Sequence, residues 1–214
     1  MKVRRALFVA GVAGAIASLA FAFSSVTPCL GTEVDIAGGL LNPQFTGTPG
    51  KCPLFWLCDG SPAPGFASYA PGPLQYPGGH PFPTSAFSPT ILAGSGTIRQ
   101  LTPLMWAPAP TIYRLTLIAG LPVTEPGGAT SVAGWPATNG AARLYFTFGS
   151  GFSQVTYWDI PSPPRGAFAP YPITFSLPAS SPAVGQQIGV ILFVSAQSNF
   201  SANFDIATSP CKVI

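Results

Sequence analysis

The chain has 214 residues, of which nine are Lys or Arg and six Asp or Glu, so 7% are charged, against about 25% in a typical soluble domain. Twenty-six prolines and 24 glycines make up close to a quarter of it. So thin a basic surface excludes a nucleic-acid partner, and one His with six carboxylates leaves little material for acid–base or metal chemistry.

At the amino end Lys2, Arg4 and Arg5 precede Ala6–Phe23, an uncharged apolar run. Ala20-Phe21-Ala22 supplies small residues on either side of an aromatic. A basic start, an apolar run and a small-residue exit predict an export signal over residues 1–22; a retained membrane anchor is the alternative. The signal places the mature chain outside the cell or on its surface, with membrane contact only through the signal during export. Without residues 1–22, six basic and six acidic residues remain. The sequence pI of 8.8 therefore belongs largely to the signal, and a mature net charge of zero favours association.

Residues 23–94 read as an amino-terminal arm followed by a Pro- and aromatic-rich extended segment. Glu33-Val34-Asp35-Ile36 alternates as a short strand, and Leu40 and Leu41 follow. From Leu41 to Thr90 prolines recur every few residues, which blocks helix and central strand alike. Phe45, Phe55, Trp56, Phe66, Tyr69, Tyr76, Phe82 and Phe87 are interleaved. Such a segment packs against a sheet, its own or that of a neighbour.

Strand patterns occupy residues 95–214. Tyr113, Leu115 and Leu117 alternate with Arg114 and Thr116. Leu144, Phe146 and Phe148 point in where Arg143, Tyr145 and Thr147 point out; Gly149-Ser150-Gly151 turns and Phe152–Ile160 returns as a hairpin. Ile173, Phe175 and Leu177 alternate with polar residues. Ile188–Ala196 is continuously apolar, as a central strand buried on both faces would be. Phe204 and Ile206 alternate with Asn203 and Asp205. The fold class is therefore all-β, an antiparallel β-sandwich or jelly roll with a Pro-rich extended segment. Residues 23–94 pack on the 95–214 core as one domain.

The four cysteines are Cys29, Cys52, Cys58 and Cys211. An even count behind an export signal predicts two disulfides. Three pairings exist; the favoured one joins Cys52 to Cys58 and ties the ends through Cys29 and Cys211. The Cys52–Cys58 loop displays Leu54, Phe55, Trp56 and Leu57, which either tuck into the core or form a contact knob. Catalytic, cofactor and metal sites are not expected. No nucleophile, zinc or phosphate-cradle motif is present, and His80 stands in a turn-rich PGGHPFP stretch. Glu33 and Asp35 are the one close carboxylate pair; a calcium site there ranks below a solvated edge. Asn199-Phe200-Ser201 fits the N-glycosylation triplet, so glycans are candidate decorations.

The basic start, long apolar run, Ala22-Phe23-Ser24-Ser25 and then Glu33-Val34-Asp35-Ile36-Ala37 resemble the beginning of TasA/camelysin-like surface-fibre proteins, including archaeal bundling-pilus subunits. The resemblance covers residues 1–40 and implies polymerisation by donation of an amino-terminal strand to the next jelly roll.

The leading expectation is thus a secreted structural subunit of a filament, pilus or surface layer. Its partner is a copy of itself, joined by strand donation or apolar docking. Thr32–Gln44 is the donor segment, with Glu33, Val34, Asp35, Ile36, Leu40 and Leu41 as its assembly residues. The alternative is a monomeric module that binds carbohydrate or a host surface, with Trp106, Trp135, Tyr157 and Trp158 as stacking platforms.

Overall fold

The computed structural model describes residues 33–49, 51–61, 67–79, 85–88, 94–108, 110–124, 142–196 and 202–207. The expected signal, Cys29, Cys211, His80, Trp135, Asn199 and Thr32 lie outside the described residues. Most of the stretch carrying the fibre-subunit resemblance lies outside them too.

The alternating patterns become strands of two sheets. In chain order they are β1 (Glu33–Asp35), β2 (Leu57–Ser61), β3 (Ala67–Tyr69), β4 (Ser85–Ser88), β5 (Gly94–Met105) and β6 (Ile112–Gly120). Then follow β7 (Ala142–Phe148), β8 (Ser153–Asp159), β9 (Phe168–Ser176), β10 (Gln187–Ala196) and β11 (Ala202–Ala207). One sheet runs β1-β6-β11-β4-β3, with β9 along the other side of β6. The second runs β2-β5-β10-β7-β8. All pairings are antiparallel except β1 with β6. The protein is an all-β two-sheet sandwich.

Period-two alternation places one side of every strand between the sheets. Tyr113, Leu115, Leu117 and Ala119 of β6 meet Leu144 and Phe146 of β7 and Ile188, Val190, Leu192 and Val194 of β10, all essentially buried. Trp106 fills the centre at 1% exposure. Its indole N–H donates to the Thr147 carbonyl over 2.9 Å, and its ring lies 4.6 Å from Tyr113.

The predicted arm folds into its own chain. Asp35 caps a 3₁₀ turn over Ile36–Gly39 by accepting from the Ala37 N–H. Ile36 and Leu40 are buried in the core at 0% and 6% exposure. Glu33, Val34 and Asp35 pair with Ile112, Tyr113 and Arg114. Donating this strand to a neighbour would first withdraw Ile36 and Leu40 from the core. Of the six assembly residues, Leu41 alone is an exposed apolar side chain, at 53%.

The Pro-rich segment divides between two places: Phe45 and Trp56 enter the core, and the stretch around Tyr76 lies against the outer face of the six-stranded sheet. Tyr76 is 1% exposed; its hydroxyl lies 3.0 Å from the Gly120 carbonyl oxygen and 2.7 Å from the Asn203 side chain. Gly120 is required here, because a Cβ would come within 2.9 Å of the Tyr76 ring and 2.7 Å of the Ala167 carbonyl. Asn203 and Asp205, which alternate with Phe204 and Ile206 along β11, are buried as well, at 1% and 0% exposure. Burial pushes the Asp205 carboxyl well above the usual aspartate range.

Candidate functional site

The outer face of the second sheet is different, because its central strand is apolar on both sides. Inward, Ile188, Val190, Leu192 and Val194 are buried; outward, Ile191 and Phe193 are only half-buried. The expectation that Ile188–Ala196 is covered on both faces thus holds for one face. Register sets two neighbouring rows across all five strands on the open side. One row reads Leu57, Arg99, Ile191, Tyr145, Tyr157. The other reads Asp59, Thr97, Phe193, Arg143, Asp159.

These side chains form a platform. The Tyr145 ring centroid lies 5.7 Å from Tyr157 and 6.2 Å from Phe193. Tyr157 is 46% exposed. The Arg143 guanidinium carbon stands 4.9 Å above the Tyr157 ring, a cation–π arrangement. An ion pair borders each side: Arg143 Nε to Asp159 Oδ1 at 2.5 Å and Arg99 to Asp59 Oδ2 at 2.9 Å. The Asp159 carboxylate holds the Arg143 guanidinium well above its ordinary range, so it is a permanent cation. Both pairs are partly open to solvent and add little to stability; their donors and acceptors stay within reach of a ligand.

Gly189 shapes the floor beside the platform. A Cβ there would lie 2.3 Å from Thr147 Oγ1 and 3.1 Å from the Phe152 ring. Its absence lets Phe152 fold across the sheet, and Arg99 stacks over that ring at 5.1 Å. Phe152 takes a left-handed φ of 52° to do so, a conformation bulky residues adopt rarely.

Of the predicted stacking residues, Tyr157 belongs to this face. Trp106 is core, and Trp158 points inward opposite Leu144, its ring 5.7 Å from Tyr171. Tyr145, Phe193, Arg99 and Arg143 were missed as site residues. Their outward alternation is readable, but their convergence needs the strand register. The close carboxylates do not converge: Glu33 accepts from Arg114 at 2.8 Å, whereas Asp35 serves as the helix cap.

The Cys52–Cys58 disulfide is formed, and its loop divides the two fates weighed for it. Trp56 turns in at 5% exposure; its indole donates to the Asn42 carbonyl at 2.9 Å and its ring meets Phe45 at 4.7 Å. Leu54, Phe55 and Leu57 stay 59%, 67% and 57% exposed.

No protein-family model and no curated protein matches the sequence. Solved structures do match in fold. An apo form cyclase from Fischerella sp. aligns with a TM-score of 0.61 at 19% identity, covering 82% of this chain and 95% of that one. A cyclase from Fischerella sp. TAU in complex with 4-(1H-indol-3-yl)butan-2-one aligns at 0.59 and 18%, covering 76% and 88%. TmCBM61 in complex with beta-1,4-galactotriose aligns at 0.48 and 12%, covering 78% and 93%. At these identities the likeness to the cyclases is one of fold: the chain is a jelly-roll-like sandwich.

Proposed function

We propose that this chain is an exported surface-binding module, not an enzyme, that holds carbohydrate on the outer face of its five-stranded sheet. The observation that carries the reading is the solvent-open platform of Tyr145, Tyr157 and Phe193 bordered by Arg143–Asp159 and Arg99–Asp59. A pyranose ring offers an apolar C–H face and a rim of hydroxyls. Half-exposed aromatic rings pack on the first. Guanidinium groups donate to the second and carboxylates accept from it, in charge-assisted bonds. The flat, wide face suits a chain of several sugars more than a single one. Asp59 and Asp159 stand on the two outermost strands of the sheet and each is held in an ion pair with an Arg, an arrangement that suits holding a sugar chain more than a paired-acid cleavage of it.

The test is a glycan array followed by affinity electrophoresis in gels containing the polysaccharides it identifies. Tyr157→Ala and Tyr145→Ala should each weaken retention about tenfold, since an aromatic contact carries about 0.5–1.5 kcal/mol beyond its area. Unchanged retention in the double variant would refute the reading.

A further inference from the structure

A different surface points to a second partner. Phe55 holds φ at 68°, the left-handed region that disfavours a bulky side chain. Its ring is nevertheless left 67% exposed. Several contacts hold it there. The disulfide closes the loop. The buried Gln100 side chain donates to the Phe55 carbonyl at 2.7 Å and to the Leu41 carbonyl at 2.9 Å, and accepts from the Leu41 N–H at 2.7 Å. Asn42 donates to the Leu54 carbonyl at 3.0 Å. A strained backbone, rigidly held, that presents an apolar tip is a feature of interaction sites. Leu41, Leu54, Phe55 and Leu57 form a knob at the β2 edge of the five-stranded sheet.

The opposite edge, β8, borders a half-open cleft of about 330 Å³ with Phe148, Val155, Leu177 and Pro182 on its apolar side and Gln154, Ser180 and Ser181 on its polar side. A cavity of about 150 Å³ takes a benzene ring, so this cleft has room for the Phe55 ring and part of Leu54. Neither the knob tip nor the cleft lining carries a charge, so docking buries none. Four strand spacings, about 19 Å, separate the two edges.

We propose that the Phe55 knob of one copy seats in the β8-edge cleft of the next. Each copy offers one knob and one cleft, so the contact is heterologous and repeats head to tail into a ring or filament. Of the two expected modes of self-assembly, strand donation by Thr32–Gln44 and apolar docking, this contact uses the second. The proposal is independent of the carbohydrate reading.

Analytical ultracentrifugation of the purified chain over a wide concentration range tests it. Phe55→Asn removes the ring and suits the left-handed backbone; Ser180→Arg, at an exposed position, blocks the cleft mouth. Each should weaken association about thirtyfold or more, as loss of a hot-spot aromatic does. An equimolar mixture of the two variants keeps one intact knob and one intact cleft, and should give one-to-one pairs and nothing larger. Wild-type monomers at every concentration would overturn the proposal. So would association of Phe55→Asn as tight as wild type, or loss in Phe55→Asn alone, which marks a knob-to-knob dimer. Phe55-dependent flotation of the monomer with phosphatidylcholine vesicles would assign the knob to a lipid surface instead. Retention on polysaccharide should be equal in both variants, so the two proposals fail separately.

Discussion

Phe55→Asn should make the protein more stable while it weakens association. The left-handed conformation costs a residue with a bulky Cβ roughly 1–2 kcal/mol, and Asn tolerates it through its short polar side chain. The ring is 67% exposed, so removing it forfeits only about a third of the roughly 2–3 kcal/mol that full burial of a Phe provides. The net gain is about 0.5–1 kcal/mol, which raises the melting temperature by about 1–4 °C in a domain of this size. Phe45 is the control. Its φ is 52°, yet it is fully buried against Trp56. Phe45→Asn should therefore destabilise by at least about 3 kcal/mol, the cost of emptying a buried Phe site. Thermal unfolding followed by circular dichroism, at a concentration where the wild type is monomeric, measures both. A Phe55→Asn variant destabilised by about 1 kcal/mol or more would show that the ring supports its own fold, and the strain argument would be wrong.

Asp205→Asn should raise stability at neutral pH. Desolvation lifts the folded-state pKa of this carboxyl, so its contribution is fully present below the ordinary aspartate range and is lost as pH rises through the raised value. Urea unfolding across pH should show the gap between variant and wild type closing in acid; a constant gap refutes the assignment. Replacing Cys52 and Cys58 by Ser opens a short loop and should cost about 2 kcal/mol, read as a lower urea midpoint. The same variant should lose association through the knob. Arg143→Ala should leave the melting temperature unchanged, since its ion pair is exposed, yet weaken polysaccharide retention several-fold; a clear drop in melting temperature contradicts this.

The sandwich was legible because alternation is a local property: the strand containing Tyr113, Leu115 and Leu117 and the hairpin around Gly149–Gly151 appear where the pattern puts them. What misled was cover from distant chain. Asn203 and Asp205 alternate with apolar Phe204 and Ile206, yet both are buried, and the Tyr76 hydroxyl, more than a hundred positions away, meets Asn203. The converse error occurred in β10, where Ile191 and Phe193 extend an apolar run without a second layer above them. The arm shows the same limit. Glu33–Ile36 reads equally well as a strand for a neighbour or for its own sheet, and only the buried seats of Ile36 and Leu40 distinguish these. The platform itself joins residues from β2, β5, β10, β7 and β8, which register alone brings into one row.

The most direct test of the carbohydrate reading is affinity electrophoresis of wild type beside the Tyr145→Ala/Tyr157→Ala double variant, in gels containing the glycan selected by the array. The wild type should be retarded, and the folded double variant should run as it does without glycan. Equal retardation of the two, or no retardation of the wild type by any polysaccharide, would contradict it.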